Sequence, residues 1–104
     1  MAQVALLSRV KVKAGRGEDF VAAFRGVFEA VEKEPGTLSY VVNRSGDDAD
    51  LFWVSEIYAD QEAFELHRDS AAMAAAGPLL GDVIAEVELL VGRPVLSKGV
   101  AGPR

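Results

Sequence analysis

The sequence contains no cysteine, one histidine, one tryptophan and four prolines in 104 residues. Without cysteine there can be no disulfide scaffold, no Cys-ligated zinc, no iron–sulfur cluster and no thiol nucleophile. A single histidine leaves any metal site to be built mostly from carboxylates. No apolar run approaches the about 20 residues that span a bilayer. The apolar stretch near the N-terminus is too short for a signal sequence and is broken by Arg9, Lys11 and Lys13, so the expectation is a cytoplasmic protein with no membrane contact. Basic charge is also scarce, 11 Lys and Arg against 16 Asp and Glu for a net −5. A dedicated nucleic-acid binder needs a basic face, so nucleic acid is not an expected partner.

What remains is an apolar-rich chain, 50% hydrophobic and 26% charged, enough for one small core. Its charge is unevenly placed. Residues 1–16 hold four basic groups and no acid, residues 93–104 hold three and no acid, and the interval between holds four basic groups against all sixteen acids. Basic ends on an acidic middle would favour the end of one chain lying on another.

Residues 4–12 alternate, with Val4, Leu6, Ser8, Val10 and Val12 on one side, and read as a first strand. Ala14-Gly15-Arg16-Gly17 breaks it. Phe20, Phe24, Val27, Phe28 and Val31 then recur at helical spacing, predicting an amphipathic helix to about Lys33. Glu34-Pro35-Gly36 stops the helix and turns the chain. Two strands follow across a polar loop at 44–50, the first with Leu38, Tyr40 and Val42 on one face. The second, Leu51–Tyr58, has Phe52, Val54, Glu56 and Tyr58 on one face and Leu51, Trp53, Ser55 and Ile57 on the other. Asp60 caps a short helix through Arg68, Asp69 or Ser70 caps another to Gly77-Pro78, and 83–91 form the last strand.

This order, β-α-β-β-α-β, predicts an α+β fold of the ferredoxin-like split type with an antiparallel sheet. Helices there cover one sheet face. An apolar second face therefore predicts a homodimer packed sheet to sheet. Residues 1–92 read as one domain. Residues 93–104 read as a basic extension that crosses to the partner or is disordered near Gly99, Gly102 and Pro103.

No Walker, GxGxxG, GxSxG, HExxH or EF-hand pattern is present. The candidate chemistry rests on isolated residues. His67 is the default general acid or base, since its ordinary pKa lies near neutrality. Glu56 sits mid-strand between Val54 and Tyr58, where a carboxylate must be paired, neutral or facing a polar cavity. Tyr58 shares its face. Tyr40, Phe24, Phe28, Phe52, Phe64 and Met73 are candidate substrate-binding residues, as walls of an apolar pocket or simply as core.

Taken together, Glu34-Pro35-Gly36-Thr37-Leu38-Ser39-Tyr40, then Glu56-Ile57-Tyr58-Ala59-Asp60-Gln61-Glu62-Ala63-Phe64 and His67, resemble the antibiotic biosynthesis monooxygenase (ABM) family across about residues 3–92. The resemblance implies a dimeric α+β barrel. It also implies one of several activities: cofactor-independent oxidation of phenols or quinols to quinones, haem degradation, or isomerisation of a phosphorylated sugar. The haem-degrading pattern of Asn, Trp and His falls on Ser8, His67 and Gly77. The anthrone-oxygenase pattern of Asn, Trp and Tyr falls on Val54, Tyr58 and Phe64. The Pro-His pair of quinol-oxidising members falls on Ala71-Ala72, leaving His67 as the matching histidine.

The leading expectation is therefore a cofactor-independent monooxygenase that acts on a quinol or polycyclic phenol with molecular oxygen. In it His67 takes a phenolic proton, Tyr58 orients the substrate oxygen and Glu56 sets position or charge. The alternatives are a non-catalytic dimeric binding module in which His67 pairs with Glu56, and an isomerase served by Arg25, Arg44 and Arg68.

Overall fold

The computed structural model describes residues 2–100. Seven elements follow in order: β1 (Val4–Val12), α1 (Gly17–Val31), β2 (Thr37–Arg44), β3 (Leu51–Tyr58), α2 (Gln61–Arg68), α3 (Ala71–Val83) and β4 (Ile84–Gly92). The strands form one antiparallel sheet in the order β2-β3-β1-β4. This is the ferredoxin-like arrangement, with its second helix divided at Asp69-Ser70.

The strand residues that are buried, Val4, Val10, Val12, Phe52, Val54, Glu56 and Tyr58, all fall on one sheet face. The apolar stripe of α1 covers it. Phe20 is fully buried, with its ring 5.0 Å from Phe24 and 4.5 Å from Phe52. Burial of each such ring contributes about 1.5–3 kcal/mol. At the start of α1, Glu18 and Asp19 place negative charge at the positive end of the helix dipole. The preceding turn passes through Gly15 at φ +76°, a conformation glycine adopts without steric cost.

The last two helices are capped as expected from their sequences. The Asp60 carboxylate accepts from the Ala63 N–H at 2.8 Å, and the Ser70 hydroxyl accepts from the Met73 N–H at 3.3 Å. The largest difference is at the end of the last helix, which takes in Val83, the residue expected to open β4. Helix α3 runs through Gly77-Pro78 to Val83 instead of stopping there. Ala76 and Val83 are buried in the core and Leu80 packs on it, and this packing outweighs the cost of about 3 kcal/mol for an interior proline.

On the far sheet face Leu7, Val41, Trp53 and Leu90 are exposed. They share it with charged cross-strand neighbours, Arg9 opposite Glu88 and Lys11 opposite Glu86. The helices also leave β4 open on their own side, where Val87, Leu89 and Val91 are more than half exposed. Beyond β4, residues 93–100 form no helix or strand. The part of the predicted extension at 101–104 lies outside the described residues.

One close approach sets the position of α2. A Cβ built on Gly36 would lie 2.5 Å from the Cβ of Ala63, while the Gly36 carbonyl accepts the Ala59 N–H at 2.8 Å. The helix is thus seated directly on the turn that ends α1. Replacing Gly36 by Ala is expected to destabilise the fold by about 1–3 kcal/mol through overpacking. An unchanged urea midpoint for that variant would contradict this seating.

Candidate functional site

Ala63 and His67 are four residues apart, so they lie on one face of α2. The contact of Ala63 with Gly36 therefore carries His67 to the same turn, where its Nδ1 lies 2.9 Å from Oε1 of Glu34. The Thr37 hydroxyl donates to that same oxygen at 2.7 Å. An irregularity in the β2–β3 pairing between Thr37 and Ser39 makes this possible, because it places Thr37 opposite Tyr58. The His67 side chain is 4% exposed and that of Glu34 21%. Against a carboxylate, which can only accept, Nδ1 carries the proton.

Beneath the histidine lies the sheet row Tyr40–Glu56–Leu6, set by the pairings of β2, β3 and β1. The imidazole stacks at 5.0 Å from the Tyr40 ring and 5.5 Å from Tyr58. Phe64 meets Tyr58 edge-on at 5.5 Å, and Phe28 meets Tyr40 edge-on at 5.3 Å. Tyr58 is fully buried and donates its hydroxyl hydrogen to the buried carboxyl of Glu56. Its donor is therefore already committed. The Tyr40 hydroxyl makes no hydrogen bond among the described residues. Nε2 of His67 is buried without a hydrogen-bond partner among the described residues.

Electrostatics follow from this burial. Desolvation pushes the Glu56 carboxyl above the ordinary carboxylate range, opposed by the Tyr58 hydrogen bond and the nearby His67. Both phenols are pushed well above the usual tyrosine value, chiefly by desolvation. The hydrogen bond to Glu56 adds to this at Tyr58, and the charges of Glu56 and Glu34 add to it at Tyr40. Neither tyrosine is placed to work as a phenolate.

The candidate residues thus separate into two adjoining groups. His67, Tyr58 and Glu56, all buried, and the half-buried Tyr40 and Phe64 form one cluster. Phe24, Phe28 and Phe52 line a cavity of about 520 Å³ between α1 and the sheet, together with Val21, Val42, Arg25 and Arg44. Tyr40 joins the groups through its contacts with Phe28 and His67. Met73 packs on the core. One expectation is corrected by the geometry: His67 hydrogen-bonds Glu34 and not Glu56, and the sequence offered Glu34 as part of a turn and of the family motif, with no site role. Among the described residues no three His, Asp or Glu side chains are grouped so as to hold a metal ion. No helix among them is long and apolar enough to cross a membrane.

A carboxyl whose pKa rises on folding holds its proton more tightly in the native state, so its stabilising contribution is complete below the unfolded value near about 4.3. It is lost as pH rises through the folded value. Glu56→Gln keeps an acceptor for Tyr58 and removes the titration. Wild type is therefore expected to lose stability relative to Glu56→Gln as pH rises from about 4 to 7. Urea midpoints of both proteins across that range measure this, and a pH-independent difference would contradict the shift.

No curated protein matches this chain at a significant level. Among solved structures, "Putative antibiotic biosynthesis monooxygenase from Nitrosomonas europaea" is 22% identical, covering 89% of this chain and 99% of that one, with a TM-score of 0.84. A protein of the same description from Caulobacter crescentus is 25% identical, covering 91% and 92%, also at 0.84. PA3566 from Pseudomonas aeruginosa is 18% identical, covering 92% and 97%, at 0.83. These likenesses share the ferredoxin-like fold. The family model for antibiotic biosynthesis monooxygenases matches residues 4–78, which take in β1, Glu34, the tyrosine–carboxyl cluster and His67, and the chain belongs to that family.

Proposed function

We propose that this chain is a cofactor-independent monooxygenase that oxidises a quinol or polycyclic phenol with molecular oxygen. The observation that carries the reading is His67, whose Nδ1 is held by Glu34 while Nε2 is buried and unpartnered. An imidazole fixed in this way presents a lone pair at Nε2, where it can take a phenolic proton. The resulting phenolate is a better electron donor than the phenol. One electron passes to oxygen, the superoxide and the aryloxyl radical combine at a ring carbon that bears hydrogen, and His67 returns its proton to the peroxide. The hydroperoxide then loses water to leave a carbonyl, so that phenol and O₂ give quinone and H₂O. A simple quinol follows an oxidase course on the same residues: two electrons and two protons pass to O₂, giving quinone and H₂O₂ with no oxygen inserted.

The 520 Å³ cavity is of a size that suits a small polycyclic substrate. Its phenylalanines give it an apolar wall, and Arg25 and Glu29 beside it supply charge, while Arg44 is already paired with Glu18. Tyr40 stands between this cavity and His67 and has a free hydroxyl, so it takes the orienting role expected of Tyr58. Its ring turns aside to admit the substrate oxygen to Nε2. Glu56 and Tyr58 form the polar floor. The complete burial of Nε2 favours a second reading, a dimeric module that binds aromatics without turnover.

The active form in this proposal is a homodimer joined through the far sheet face. Leu7, Ile57, Leu90 and Arg93 border a groove of about 400 Å³ there, beside exposed Trp53 and Val41. Residues 93–104 are proposed to extend from β4 onto the partner, where exposed Val95 and Leu96 gain cover. Sedimentation at micromolar concentration is expected to give twice the 11.1 kDa chain mass; an 11.1 kDa species would contradict the sheet-to-sheet pairing.

His67→Ala is expected to lower quinone-forming turnover about 10²–10⁴-fold. Unchanged turnover would remove His67 from the proton transfer, and the absence of turnover in wild type would favour the binding module.

A further inference from the structure

Glu34 belongs to no helix or strand. It follows α1 in the turn at 32–36, and its carboxylate meets the one histidine of the sequence. The carboxylate is itself held. Thr37 donates to the same Oε1, and the Thr37 amide donates to the Glu34 carbonyl at 3.1 Å. The histidine is held from the other side as well, since Ala63 on its own helix face abuts Gly36. The remaining titratable groups around the imidazole are Tyr40 from β2 and Glu56 and Tyr58 from β3, with Lys33 on the wall of the small outer cavity that Glu34 and His67 also line. None of these is hydrogen-bonded to Nε2.

A neutral imidazole free in water favours the tautomer with hydrogen on Nε2, which would leave that nitrogen a donor and useless as a base. A carboxylate at hydrogen-bond distance from Nδ1 reverses the preference, because it accepts from Nδ1–H and would repel a lone pair there. We propose that Glu34, itself fixed by Thr37, is a positioning residue that locks His67 in the Nδ1–H tautomer and so keeps the lone pair at the buried Nε2. The effect on catalysis rests on the reading of His67 as the base. The tautomer does not, and it is measurable without substrate.

With a single histidine, the ¹⁵N-labelled protein gives one pair of imidazole nitrogen signals, so the tautomer is read directly at a pH where the ring is neutral. Wild type is expected to show a protonated Nδ1 and an unprotonated Nε2. Glu34→Ala is expected to move the proton largely to Nε2. Glu34→Gln is expected to retain Nδ1–H, since Thr37 holds the amide oxygen as it holds the carboxylate oxygen. Should the alanine variant fail to fold, Glu34→Met, similar in length and without an oxygen, must show the same shift. A wild type with hydrogen on Nε2, or an unaltered tautomer in Glu34→Ala or Glu34→Met, would overturn the proposal. In turnover, Glu34→Ala is expected to lower kcat at least about tenfold with KM little changed, and Glu34→Gln to recover most of it. If His67→Ala leaves turnover intact while the nitrogen spectra behave as expected, the base reading fails and the lock stands.

Discussion

The contact between Gly36 and Ala63 is the constraint on which the site depends. It seats α2 on the turn after α1, and the helical repeat then delivers His67 to Glu34 one turn further on. Each residue of the Glu-Pro-Gly turn has a separate physical task. Glu34 supplies the acceptor for Nδ1, Pro35 prevents the helix from continuing, and Gly36 lacks the carbon that would hold α2 away. A motif that reads as punctuation is thus also part of the site.

Around that contact the polar cluster is enclosed by aromatic rings. Tyr40 and Tyr58 flank the imidazole, and Phe64 and Phe28 pack on them in turn. Burial makes polar groups costly unless they are paired, and pairing is nearly complete: Tyr58 with Glu56, and Glu34 with both Thr37 and His67. Within this cluster the buried group left over is Nε2 of His67. A network satisfied except at one buried imidazole nitrogen suits the proton transfer proposed for His67. The rest of the sheet serves to hold this arrangement rigid, with the Phe20–Phe52 contact tying α1 to β3.

Much of the fold was legible because each element carried a strong local signal. Alternation marked β1 and β3, the Phe20–Val31 spacing marked α1, Asp60 announced one cap, and the other, open between Asp69 and Ser70, falls on Ser70. The end of α3 was not legible, since Pro78 is a local stop signal overridden by the packing of Ala76, Leu80 and Val83, which only the assembled core reveals. In the site, alternation placed Glu56 and Tyr58 together on one face, and helical spacing placed His67 on the buried face of α2. The partner of His67 was missed because Glu34 is 33 residues distant in sequence and its neighbours Pro35 and Gly36 already explained the turn. Likewise, nothing local indicated that Tyr58 would spend its hydrogen on Glu56 and leave Tyr40 as the free hydroxyl.

In the proposed function, a cofactor-free aromatic pocket beside a fixed imidazole activates a phenol towards oxygen. Oxygen uptake by purified, metal-free protein with a panel of quinols and anthrone-like phenols, each against a protein-free blank for autoxidation, tests it most directly. Uptake above the blank with matching formation of quinone is the predicted result. Binding of the same compounds with no uptake above the blank would contradict it.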